Sequence, residues 1–130
     1  MKKLFAILLA TAFSTSAFAA GTSYTCTGTL DNGSDDIVVQ GSYSQTGALQ
    51  SPVTVVIDGV FAERYSGVSG SASDMALQID GNKNGNKLEL RHFVVANGTD
   101  PKNYLEYSGK LNGRNVVYKT KNVSCARAAK

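Results

Sequence analysis

Two cysteines near opposite ends of the chain, Cys26 and Cys125, constrain the fold more than any other feature. Each sits in a short stretch of alternating residues that reads as a strand: Tyr24-Thr25-Cys26-Thr27-Gly28-Thr29-Leu30 near the start, Val123-Ser124-Cys125 near the end. No Cys-x-x-Cys spacing or histidine cluster accompanies them, so metal ligation is a poor reading and a single disulfide a good one. If the sulfurs are bonded, first and last strands lie side by side. Closing so long a loop removes on the order of 4–5 kcal/mol of unfolded-chain entropy in the chain-entropy model, comparable to the net stability of a small domain.

Between the cysteines the apolar residues keep period two and nowhere hold a helical period for long. Ile37, Val39, Gly41 and Tyr43 alternate with polar or small residues. Pro52 opens a third element, in which Val53, Val55, Ile57, Gly59 and Phe61 share one face. Met75, Leu77 and Ile79 form the next row, then Leu88, Leu90, His92 and Val94, then Leu105, Tyr107, Gly109 and Leu111. Asn112-Gly113 is the strongest hairpin signal, since both residues accept positive φ in a type I′ turn. The stretch Asn115–Lys121 reads as a last strand, but its inward row of Val116, Tyr118 and Thr120 has the opposite parity to Val123 and Cys125. A bulge or strand end near Asn122 resolves this. The expectation is an all-β antiparallel meander of about seven strands forming a small closed or nearly closed barrel, with a two-sheet β-sandwich as the alternative.

Residues 1–19 read as a signal peptide and residues 20–130 as a single β domain. Lys2 and Lys3 precede the apolar run Leu4–Ala10, which is too short to span a bilayer, and Ala17-Phe18-Ala19 is a small-x-small cleavage site. Periplasmic or secreted localisation by bacterial Sec-type export follows, with no membrane span after cleavage. The chain carries 13 Lys and Arg against 10 Asp and Glu. Two of the bases leave with the signal, so the mature domain is close to neutral and nucleic acid is not an expected partner. The charge is unevenly spread: acids dominate residues 20–65 and bases dominate residues 101–130. A solvated basic edge complementing an acidic one is the plainer reading of this, and an anion-binding face the alternative.

The residues give little to catalysis. His92 is the only histidine, and a hydrolase relying on it needs a nucleophile held nearby on a strained turn. Gly67-Val68-Ser69-Gly70-Ser71 misses the G-x-S-x-G pattern at its last position. Asp80-Gly81-Asn82-Lys83-Asn84-Gly85 matches the start of a calcium loop, but Arg91 occupies the position of the bidentate glutamate and Lys83 places a cation inside. A Gly/Asn-rich hairpin turn explains the same residues without an ion. The expectation is therefore a non-enzyme with no cofactor.

Tyr24-x-Cys26 and Tyr65-Ser66-Gly67 resemble elements of the periplasmic lysozyme-inhibitor families, small envelope β domains with an early and a late cysteine. The Ser-Gly-x-x-Tyr element of those families is not reproduced, because Val68-Ser69 follows Ser66-Gly67 and Lys110-Leu111 follows Ser108-Gly109; Trp is absent too. The chain is not assigned to them. What the residues do offer is a stapled scaffold with one long small-residue stretch, the arrangement in which loops carry recognition. The expected function is a binding module for an envelope or extracellular protein or glycan. Its candidate site is Glu63, Arg64, Tyr65, Ser66, Gly67, Ser69, Ser71 and Ser73. The alternative is a small apolar ligand carrier with a cavity lined by Leu77, Ile79, Leu88, Leu90, Leu105 and Tyr107.

Overall fold

The structure is a computed structural model that describes residues 21–30, 36–95, 98–99 and 102–129. The proposed signal peptide lies outside the described residues. Within them the chain is all β: β1 (Thr22–Thr29), β2 (Asp36–Tyr43), β3 (Leu49–Ile57), β4 (Val60–Tyr65), β5 (Val68–Ala72), β6 (Ala76–Lys83), β7 (Asn86–Val95), the two-residue β8 (Gly98–Thr99), β9 (Tyr104–Leu111), β10 (Arg114–Thr120) and β11 (Val123–Ala129). Two antiparallel sheets result, ordered β11-β1-β2-β3-β4 and β10-β9-β7-β6-β5, with β8 beside β7.

Cys26 and Cys125 are bonded and stand opposite each other in the β1–β11 ladder, so the chain's first and last strands are neighbours. The closed barrel is not formed. No ladder joins β4 to β5 or β10 to β11 among the described residues. At those two corners the chain leaves one sheet and enters the other through two residues, Ser66-Gly67 and Lys121-Asn122. The two-sheet sandwich describes the arrangement. Asn122 is also where the parity conflict disappears, because Thr120 ends β10 and Val123 begins β11.

Ten strands of five residues or more replace the expected seven. The third element is two strands: Asp58 and Gly59 both have positive φ (50° and 77°) and turn the chain back as a type I′ hairpin. Phe61 accordingly lies 58% exposed instead of continuing the buried row. The same turn chemistry recurs at Asn84-Gly85 (54° and 86°) and at the expected Asn112-Gly113 (54° and 79°). Pro52 lies inside β3 and does not open it. It falls where the β2–β3 register shifts and before β4 begins to pair, so its missing N–H interrupts no ladder. The small-residue stretch 66–73, read as a loop, contains β5.

The inward rows otherwise follow the sequence parity. Ile37, Val39, Val53, Val55 and Ile57 from one sheet meet Leu77, Ile79, Leu88, Leu90 and Leu105 from the other, all fully buried in one cluster. Each such side chain contributes about 1.5–3 kcal/mol over its exposed state. Val94, placed with the inward row of β7, is instead exposed near the strand end, and Met75, placed with Leu77 and Ile79, is exposed just before β6 begins.

Candidate binding surface at the β4–β5 corner

Glu63, Arg64 and Tyr65 end β4, Ser66 and Gly67 form the corner, and Ser69 and Ser71 lie on β5 with Ser73 just beyond. Arg64, Ser66, Gly67, Ser69, Ser71 and Ser73 are exposed. Tyr65 is not: at 1% exposure it belongs to the core and cannot meet a partner. Its hydroxyl donates to the Asn86 carbonyl oxygen at 2.9 Å, which is why a tyrosine rather than a phenylalanine suits the position. Burial raises its pKa, as do the neighbouring Tyr107 and Glu63.

Glu63 anchors the other side of the corner. One carboxylate oxygen accepts from the Arg64 amide at 2.9 Å and from Lys83 Nζ at 3.4 Å; the second accepts from Asn86 Nδ2 at 2.8 Å. Lys83 Nζ also donates to the Arg64 carbonyl oxygen at 3.2 Å. Partial burial disfavours the Glu63 charge, but these donors outweigh it and hold the carboxyl below its usual pKa. Asn86 Oδ1 in turn accepts from the Lys110 amide at 3.0 Å. The end of β4 is thus tied to the β6–β7 hairpin and to β9. Sequence reading found Glu63 and Tyr65 but assigned them to recognition; Lys83 and Asn86, their partners, carried no signal beyond lying beside a hairpin turn.

Beyond the corner, β5 pairs only with β6 among the described residues. The Ala72 amide points away from β6, donating to the Gly47 carbonyl oxygen at 3.2 Å, whereas Ser73 donates to the Ala76 carbonyl oxygen at 2.8 Å. Antiparallel alternation therefore turns the Val68 and Gly70 backbone groups outward as well. Ser73 is committed to a turn, its Oγ accepting from the Met75 and Ala76 amides at 3.2 and 3.1 Å. What the corner offers a partner is a strand edge flanked by Arg64, Ser66, Ser69 and Ser71.

Elsewhere, Asp80 of the calcium-like stretch lies on β6 and is held by both oxygens on Arg91 Nη2 at 3.0 Å. Among the described residues no group of three or more acidic, histidine or cysteine side chains is disposed to hold a metal. The outer face of the second sheet sets Glu89 opposite Glu106 across β7 and β9, beside Lys87 and Ser108 in a shallow depression. A second depression is lined by Thr22, Tyr43, the 44–46 turn and Ala72–Asp74. The six residues proposed to line a carrier cavity are all fully buried and pack in the common core. His92 is 4% exposed with Nδ1 buried and unpartnered. No protein-family model, curated protein or solved structure matches the chain.

Proposed function

We propose that the protein is an exported, non-enzymatic binding module that engages a protein partner in the cell envelope or outside the cell through the β4–β5 corner. The observation that supports this most is the outer edge of β5, which no strand ladder joins among the described residues and which is met at its far end by Gly47 on Ala72. Strand edges are normally protected by charge, proline or a covering element, and the β10 edge at the other end of the same sheet carries Arg114 and Lys119. Val68-Ser69-Gly70-Ser71 carries no charge and no proline, and its outward backbone groups are what an added strand pairs with. The Glu63–Lys83–Asn86 ties hold the corner rigid, which lowers the ordering cost of binding. A disulfide in a small β domain fits an oxidising compartment, and Sec-type export supplies one.

Site-directed photo-crosslinking in cells tests the reading, with the probe at Ser66, Ser69 or Ser71 and at Val117 on the β10 edge as control. Discrete protein adducts at the corner positions and none at Val117 are expected. Equal adducts everywhere would remove the β5 edge as the site, and adducts carrying glycan instead of protein would change the partner class.

A further inference from the structure

We infer that His92 and Arg127 form a binding site for a small monocarboxylate at the free edge of β11. Arg127 follows Cys125 on the inward-facing row of β11, in register with Tyr24 of β1; β11 meets β7, which carries His92, across the sandwich, near enough for the Arg127 charge to bear on the imidazole. Three polar atoms of the two side chains are buried without any hydrogen-bond partner: His92 Nδ1, Arg127 Nε and Arg127 Nη2. Buried donors without partners are rare in folded chains because each has given up water for nothing. Here they come from facing elements of opposite sheets, and one of them bears a full charge.

The atoms involved define the ligand. Nε and Nη2 are adjacent donors on one side of the guanidinium, the pair that grips the two oxygens of a planar carboxylate in a fork. An imidazole protonated on Nδ1 supplies a third donor. A single charge on Arg127 is balanced by a monoanion, so a carboxylate suits the site better than a phosphate dianion. Burial, and after it the neighbouring Arg127, keep His92 below its usual pKa; an anion beside the guanidinium offsets the buried Arg127 charge. Arg127 as a whole is only half-buried, and among the described residues β11 pairs with β1 alone, so the pair lies at an unpaired edge of the sheet. The other unpartnered hydroxyl, Tyr24 Oη, lies over Gly41 on the far side of β1 and is not part of the site.

The chain contains one histidine, so its imidazole resonances report on this site alone. Titration of the full mature protein with acetate at fixed ionic strength, at a pH where the imidazole is neutral, is expected to shift them saturably, with chloride producing no such shift. Inorganic phosphate should bind more weakly than acetate. Arg127→Lys, which keeps the charge and loses the fork, should weaken acetate by about tenfold or more; Arg127→Gln should abolish saturation. A non-saturating response in the wild type overturns the site without recourse to any variant. Equal affinity for acetate and phosphate, or an unchanged affinity in a folded Arg127→Lys protein, overturns the fork.

Discussion

The Thr120 hydroxyl donates to the carbonyl oxygen of Thr29 at 2.7 Å, across 91 positions of chain. The same oxygen atom of Thr120 accepts from the Asn122 amide at 3.0 Å, and the Asn122 carbonyl oxygen accepts from the Thr29 amide at 3.0 Å. These three bonds stitch the corner where β10 leaves one sheet and β11 enters the other. Without a ladder between β10 and β11, they hold the second sheet's last strand against the first sheet's β1.

Thr120→Val keeps the shape of this buried side chain while leaving a carbonyl and an amide without their partner. A loss of about 1–3 kcal/mol is expected, measured by urea unfolding with an unchanged m-value. A loss below about 0.5 kcal/mol would mean that water replaces the hydroxyl and that the corner is held by packing alone.

Reduction of Cys26–Cys125 tests a different tie between the same ends. Because β1 and β11 are also joined by ladder pairing from Thr22–Ala129 to Gly28–Val123, the reduced protein should keep its fold at neutral pH and low temperature. Its stability should fall by up to about 4–5 kcal/mol, chiefly through the freed unfolded chain. The check is denaturant unfolding with and without reductant, or of a Cys26→Ala/Cys125→Ala protein. A collapse of the far-UV β signal on reduction alone would show the ladder to be insufficient.

The inward rows were readable in the sequence because a sheet with one buried face must alternate. Tyr24, Cys26, Ile37, Val39, Leu77, Ile79, Leu88 and Leu90 all fall where parity puts them. The Asp58-Gly59 reversal is masked by the same rule: Ile57, Gly59 and Phe61 keep parity straight through a two-residue hairpin, so the period hides a turn that the Asp-Gly pair itself signals. β5 escaped because Ser69, Gly70 and Ser71 have little intrinsic strand preference. Their conformation comes from pairing with Asp80, Ile79 and Gln78 of β6. The proximity of His92 to Arg127 depends on how the two sheets face each other, with β11 against β7. No local pattern encodes that.

Gly70 makes the dependence of β5 on its partner measurable. Its φ of 133° lies where side chains are rarely tolerated, and a Cβ added there would collide with the Gln78 carbonyl oxygen of β6. Gly70→Ala should therefore shift β5 away from β6 and destabilise the domain by about 1–3 kcal/mol. Amide exchange at Gln78 and Asp80 should accelerate more than exchange at Val39 or Val55, which lie in the other sheet. Ser71→Ala, at an exposed position with ordinary backbone, should change stability by no more than about 0.5 kcal/mol. Equal effects of the two substitutions would contradict the tight β5–β6 approach.

Two groups should give the domain two separable acid sensitivities. Glu63 has a folded pKa below its unfolded value, so its ionised form favours the native state. That contribution is complete above the ordinary glutamate range near pH ~4.3 and is lost as pH falls toward the lower folded value. His92 is likewise depressed, by burial and then by Arg127, but here the favoured form is neutral. The unfolded chain takes up a proton near pH ~6.5 while the folded one does not, so stability begins to fall at that point and continues until the folded pKa is reached. Unfolding free energy measured against pH should therefore decline first below about pH 6.5 and again below about pH 4.3. His92→Gln should remove the upper decline and leave the lower one; Glu63→Gln should flatten the lower one and leave the upper. Lys83→Met takes away the cation paired with Glu63 and should shrink the lower decline without abolishing it, because the Arg64 amide and Asn86 Nδ2 remain. An upper decline that survives His92→Gln would assign it to another group, since His92 is the only imidazole in the chain.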